Sequence, residues 1–171
     1  EFLNPQQIIN KLKLSRDMSA ADFGSGSGGW ALILAKKLED GMIYAIDILE
    51  PPLSALEGRI KLEKINNIKI IRSNVENRNG STLPDSSVDL VLMTNLLFQC
   101  ESKKNVLQEG KRVLKQGGNI LVVDWIKDNP LTKEVELVSS DEIKKMCKEL
   151  GLKAQEEFEA GAYHKGLIFK K

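Results

Sequence analysis

Cysteine and histidine are almost missing from this chain. Its 171 residues include two cysteines and one histidine. Cys100 and Cys147 stand far apart, no C-x-x-C spacing occurs, and His164 is the only imidazole that could join them. Neither a zinc site nor a disulfide framework is supported, and no metal is expected. Two reduced, partly buried thiols fit a cytoplasmic protein. Long apolar runs are missing too: none approaches the ~18 residues that would span a bilayer, and no stretch reads as a signal peptide. An excess of charge is also absent. Lys plus Arg number 25 against Asp plus Glu 24, a net charge of +1, so no strong field steers the chain to nucleic acid or membrane. The pairs Lys36-Lys37, Lys103-Lys104 and Lys144-Lys145 fall on expected helices and read as solvated faces.

What is present is enough for one globular domain over residues 1–171. Hydrophobic residues make up 42% and charged residues 29%, a balance that supports a packed core. The most informative stretch runs from Ala20 to Trp30. Ala20-Ala21-Asp22-Phe23 is a short apolar run reaching an acid, and four glycines (24, 26, 28 and 29) follow within six residues. Ala31-Leu32-Ile33-Leu34-Ala35-Lys36-Lys37-Leu38 then reads as an amphipathic helix. Glycine accepts positive φ and lets a ligand approach the backbone. A helix opening there turns its free N–H groups toward the same spot. The loop is built for a nucleotide-like ligand.

The rest of the chain alternates strands and helices. Asn4 and Pro5 start a helix with Ile8, Ile9 and Leu12 on its apolar face. Met42–Ile46 is a second strand ending at Asp47. Pro51-Pro52 opens a helix that Asn66-Asn67 ends, and Ile68–Ile71 is a third strand. Residues 76–86 are polar and turn-rich. Val88–Met93 is strand four, residues 101–115 a helix, and Gly117-Gly118 turns into strand five, Asn119–Trp125. A loop with Asn129-Pro130 leads to Ser140, an N-cap for helix 141–150, which Gly151 ends. Lys153–Lys170 reads as two strands joined at Ala160-Gly161, too closely spaced for a crossover and therefore antiparallel. The expected fold is α/β: a Rossmann-like, doubly wound seven-stranded sheet, mostly parallel with an antiparallel last strand.

The glycine loop alone is ambiguous. Gly24, Gly26 and Gly29 satisfy the dinucleotide pattern G-x-G-x-x-G, whereas Gly24, Gly26 and Gly28 satisfy G-x-G-x-G. Taken with the later motifs, the chain resembles a class I S-adenosylmethionine (SAM)-dependent methyltransferase of the small "type 11" group, over residues 3–171. Asp22, Phe23, Gly24, Ser25, Gly26 and Gly28 match the family's first motif, which cradles the methionine part of SAM. Asp47, with Ile48 beside it, matches the acid that binds both ribose hydroxyls, and Asn74-Val75 falls where adenine is contacted. Asp89–Asn95 matches the fourth motif beside the methyl group, so Asn95 is both a cofactor contact and a catalytic candidate. Val113–Leu121 matches the "L-K-P-G-G" turn, with Gln116 in place of proline.

The residues themselves agree in part. A carboxylate only accepts hydrogen bonds, so Asp47 suits a pair of ribose hydroxyls. It stands 18 residues past Gly29, close to the spacing of a nucleotide-binding βαβ unit. Asp22 either braces the loop N–H groups or meets the SAM ammonium, and the sequence does not separate the two. The expected function is methyl transfer from SAM, releasing S-adenosylhomocysteine, to an unidentified acceptor. The alternatives are a non-catalytic SAM-binding module acting through a partner and, further off, a dinucleotide-binding protein.

Ligands of open α/β sheets lie beyond the carboxyl ends of the parallel strands. An antiparallel last strand starts at that edge. Asp124, Trp125 and Tyr163 are therefore expected on the substrate rim, with Asn95 and His164. His164 is the one side chain whose ordinary pKa suits a base near neutrality; an exposed strand-end histidine is the bland alternative. No Asn-Pro-Pro-Tyr or Asp-Pro-Pro-Tyr element follows strand four, and no inserted lid precedes the last helix. The acceptor is either bulky, at an open site, or covered by residues preceding Glu1.

Overall fold

The computed structural model describes residues 3–125 and 137–171. The Asn129-Pro130 loop lies outside the described residues. In chain order the elements are α1 (Pro5–Ile9), β1 (Ala20–Phe23), α2 (Ala31–Lys37), β2 (Ile43–Asp47), α3 (Glu50–Glu63), β3 (Ile68–Arg72) and β4 (Val88–Thr94). They continue with α4 (Lys103–Val113), β5 (Leu114–Trp125), α5 (Ser140–Glu149), β6 (Lys153–Glu159) and β7 (His164–Lys170). The sheet order is β3-β2-β1-β4-β5-β7-β6. Every pairing from β3 to β5 is parallel, and β7 runs antiparallel to both its neighbours.

Each face of the sheet carries a core, which is why the central strands read as unbroken apolar runs. All four residues of β1 are fully buried. Ala21 and Phe23 point to the face covered by Val106, Leu107 and Val113 of α4 and by Ile143 and Cys147 of α5. Ala20 lies on the opposite face with Ile8 and Ile9 of α1, Leu34 of α2 and Leu56 of α3. Large side chains buried this completely stabilise by about 1.5–3 kcal/mol each. Both cysteines are buried and free, and burial pushes each thiol up to about 12.

Some boundaries differ from the sequence reading, each for a local reason. Helix α4 begins at Lys103, after a 3-10 turn over Leu97–Gln99. Gly117-Gly118 does not precede strand five but lies within it, at a register shift between Val88 and Leu90. Ser139, not Ser140, caps α5: its hydroxyl accepts from the Glu142 N–H, and the Glu142 carboxylate accepts from the Ser139 N–H, a reciprocal capping box. Helix α3 ends at Glu63 with Lys64 as a left-handed cap, not at Asn66-Asn67, and Asn67 has another task. Its amide donates to the carbonyls of Ala35 and Leu38, tying the end of α2 to the start of β3. The connection from β3 to β4 has no helix. A buried cluster secures it instead: Glu109 accepts from the Ser81 N–H at 3.0 Å and from Arg112, and Arg112 also donates to the Leu83 carbonyl.

Candidate functional site

The carboxyl ends of β1, β2, β4 and β5 converge with the start of β7, and this edge holds the candidate residues. Ile46 anchors the glycine loop, its carbonyl accepting from the N–H groups of both Gly24 and Ser25 at 2.8 and 3.0 Å. The loop geometry separates the two glycine patterns. Gly28 holds φ +86°, and a Cβ there would come within 2.3 Å of Leu56. Gly26 holds φ +53° with open space beside it, so it leaves a bare backbone face for a ligand. Gly29 has neither a positive φ nor a close neighbour. The turn thus depends on the glycines of the G-x-G-x-G pattern, and Gly29, which the dinucleotide pattern needs, is dispensable to it.

Asp22 is fully buried, and neither carboxylate oxygen has a hydrogen-bond partner. It does not brace the loop. Desolvation lifts it to about 7, the neighbouring Asp47 charge adds to the rise, and the Ala31 N–H opposes it. The buried Ser25 hydroxyl is likewise without a partner. Orphaned buried polar atoms are rare in folded proteins, and here three lie beside one ligand-shaped backbone.

Asp47 is half-buried at the end of β2. One oxygen accepts from the Gly26 N–H and the other from the Leu49 N–H, both at 2.9 Å. Each oxygen keeps a second lone pair, so the two can still receive a pair of hydroxyls. Next to it Ile48 and Leu49 are 55% and 59% exposed, an apolar surface that a flat base can cover. The Asn74 side chain accepts from the Glu76 N–H, so it forms a turn, while Val75 is buried in the core. Phe23 is also committed to the core, which leaves only its main chain for a ligand.

On the other side, structure and sequence meet at His164. It opens β7 opposite Trp125, is only 6% exposed, and stacks on the Trp125 ring at 4.0 Å between centroids. The exposed-histidine alternative does not hold. Its Nε2 lies 2.8 Å from Asn95 Oδ1, and burial lowers its pKa from the usual imidazole value. Asn95 holds φ +52°, unusual for a non-glycine residue. Its N–H donates to the Val123 carbonyl, and its own carbonyl accepts from the Gln99 amide at 2.6 Å. Asp124 is buried and accepts from the Trp125 and Phe98 N–H groups; desolvation pushes it up to about 6. Tyr163 is 42% exposed at the rim.

The sequence reading missed Gln99, which holds the Asn95 carbonyl, and Leu96, which packs where a Gly24 side chain would be. Neither belongs to a motif. A cleft of about 370 Å³ lies on the α5 flank, lined by Lys103, Val138, Glu142 and Met146. None of the glycine-loop residues forms its wall. Among the described residues no cluster of three or more His, Cys, Asp or Glu side chains could hold a metal, and no helix is long and apolar enough to cross a membrane.

The sequence matches the family described as "Methyltransferase domain" over residues 21–122. The demethylmenaquinone methyltransferase of Geobacillus kaustophilus is 28% identical over 114 residues, which is 66% of this chain and 47% of that protein. The chain spans about half the length of the curated relatives it matches. A solved SAM-dependent methyltransferase from Aquifex aeolicus superposes with a TM-score of 0.86 at 23% identity, over 98% of this chain and 89% of that one. The [4+2]-cyclase SpnF also superposes with a TM-score of 0.86, at 12% identity, over 98% and 79% of the two chains. Likeness at these identities speaks to the fold.

Proposed function

Since this chain belongs to the methyltransferase domain family, we propose that it binds SAM at the glycine loop and transfers the methyl group to an acceptor seated against Asn95, Trp125 and His164. The carrying observation is the set of buried polar atoms without partners, Asp22 Oδ1 and Oδ2 and Ser25 Oγ, next to an Asp47 with lone pairs to spare. SAM brings what those atoms lack: an ammonium, a sulfonium and two ribose hydroxyls.

The residues fit the cofactor, and when bound it supplies an electrophilic methyl group. The protein's part is then to orient and to move a proton. Gly24 to Gly28 keep the backbone close to the ligand, Asp47 fixes the ribose, and Asp22 faces a cation. In-line placement of the acceptor supplies much of the acceleration. Where the attacking atom carries a proton, His164 takes it, because a buried imidazole is neutral near pH 7. The acceptor of the relatives, demethylmenaquinone, is the first compound to try, and the open aromatic rim around Trp125 suits a planar ring. Cytoplasmic residence belongs to this reading, since two free, buried cysteines fit a reducing compartment.

A second reading is a SAM-binding module without catalysis that acts through a partner; the same orphaned atoms and Asp47 would serve it equally. On that reading SAM is held and no methyl group moves. Two experiments divide the possibilities. SAM and S-adenosylhomocysteine should raise the melting temperature by mass action while NAD does not; a shift with NAD alone would overturn the cofactor assignment. Incubation of extracts with methyl-labelled SAM should label an acceptor. If SAM binds and nothing is labelled, the non-catalytic reading wins.

A further inference from the structure

Asp22 occupies a position that an ordinary carboxylate would not tolerate. It is fully buried, no group reaches either carboxylate oxygen at ordinary hydrogen-bond geometry, the Ala31 N–H favours its charge only weakly, and the neighbouring Asp47 carries the same sign. Among the described residues no cationic side chain acts on it. Its register partners are Ala45 on β2 and Leu92 on β4. Asp47, at the end of β2, repels its charge; the Ala31 backbone and the Ser25 hydroxyl are the neutral groups beside the loop. A carboxyl group so placed holds its proton until a cation arrives.

We propose that Asp22 is a proton-exchanging contact of the cofactor site: it gives its proton to the solvent when an ammonium-bearing ligand binds and takes it back when that ligand leaves. The proposal rests on the SAM-binding reading and adds a chemical selectivity to it. The carboxylate left behind is the counter-ion of the ligand's ammonium, and nothing else is oxidised, reduced or transferred. The ligand's nucleoside half faces Asp47 instead and has no claim on this proton.

The consequences have a definite sign. Ionised Asp22 is the binding form, so affinity for an ammonium-bearing ligand falls in acid. With Asp22 near 7 in the ligand-free protein, affinity should drop roughly 25-fold between about pH 7.5 and about pH 5.5. For the ligand-free protein the linkage runs the other way. A carboxyl whose folded pKa is raised contributes stability below its unfolded value and loses it as pH rises through about 7. Asp22→Asn should therefore melt above the wild type on the alkaline side.

The test is calorimetry at neutral pH in phosphate and in Tris, buffers that take up protons with different heats. S-adenosylhomocysteine carries the ammonium; 5′-methylthioadenosine carries the same nucleoside thioether without it. In the wild type, binding of S-adenosylhomocysteine should release about half a proton near pH 7, and 5′-methylthioadenosine none. Asp22→Asn should abolish the release, and the same variant subtracts any proton exchange by the ligand itself. Buffer-independent heats for S-adenosylhomocysteine in the wild type, or an equal release with 5′-methylthioadenosine, would overturn the proposal. If neither compound binds at all, it is the SAM-binding reading that fails. The two wild-type arms stand without the variant, so a poorly folded Asp22→Asn protein leaves the test intact.

Discussion

Asp47→Ala should weaken S-adenosylhomocysteine binding by at least tenfold, and by up to about 10²-fold, while the protein stays folded. Two effects combine. On the proposed SAM site the substitution removes both acceptors assigned to the ribose hydroxyls, and hydrogen bonds to a charged group contribute about 1.5–3 kcal/mol each. It also frees the Gly26 and Leu49 N–H groups, so the loop loses the strut that sets its distance from β2. The fold survives because Asp47 sits half-buried at a strand end and, among the described residues, makes no ion pair. Asp47→Asn keeps one acceptor oxygen and should fall between the variant and the wild type. Titration calorimetry checks both, and unchanged affinity in a folded Asp47→Ala protein would remove Asp47 from the site. A further signature is available near pH 7. Asp47 is one cause of the raised Asp22 pKa, so Asp47→Ala should also shrink the proton release on binding.

The part of this architecture legible in the sequence is the part set by local rules. Strands β1, β2 and β4 are dense apolar runs, and their positions follow from that pattern. The antiparallel β7 follows from a hairpin too short to cross over. What the sequence hid depends on contacts between distant segments. Gly117-Gly118 looks like a turn, yet Gly117 at φ +81° takes up a register shift, and the ladder continues through bonds between Gly117, Gly118 and Lys171. Ser139 and Ser140 are equivalent as caps until the Glu142 side chain chooses between them.

The site divides in the same way. That the glycine loop and Asp47 belong together was readable from spacing. Whether Asp22 braced the loop was not, because the answer depends on which N–H groups Ile46 and Asp47 have already taken. Asn74 falls at an expected adenine contact in the sequence, and in the fold its side-chain oxygen also accepts from the Glu76 N–H within a turn. His164 is the reverse case. A lone histidine near a strand end gives no hint of burial, and only the pairing with Trp125 and the reach to Asn95 bring it under cover.

That cover is the ground for the last expectation: His164→Ala should lower methyl-transfer turnover by roughly 10²-fold, with the affinity for SAM nearly unchanged. Asn95 Oδ1 lies 2.8 Å from Nε2, and because an amide oxygen only accepts, a hydrogen bond there puts the proton on Nε2 and leaves Nδ1 as the basic nitrogen. Asn95 keeps that direction because Val123 and Gln99 hold its backbone on both sides. Burial lowers the pKa, so the imidazole is in its basic form near pH 7. Wild-type turnover should rise along an acid limb below the ordinary imidazole value and then level, and the variant should lack that limb. Stability carries the same sign. A base whose folded pKa is depressed binds its proton more readily when unfolded, so the wild type loses stability as pH falls through the ordinary imidazole range. A merely packed histidine would show this stability loss without any effect on turnover. The measurement needs the acceptor that the labelling screen supplies. Normal turnover with an intact acid limb in His164→Ala would leave the ring a packing partner of Trp125, and would not bear on the glycine loop or Asp47, whose roles are argued from other contacts.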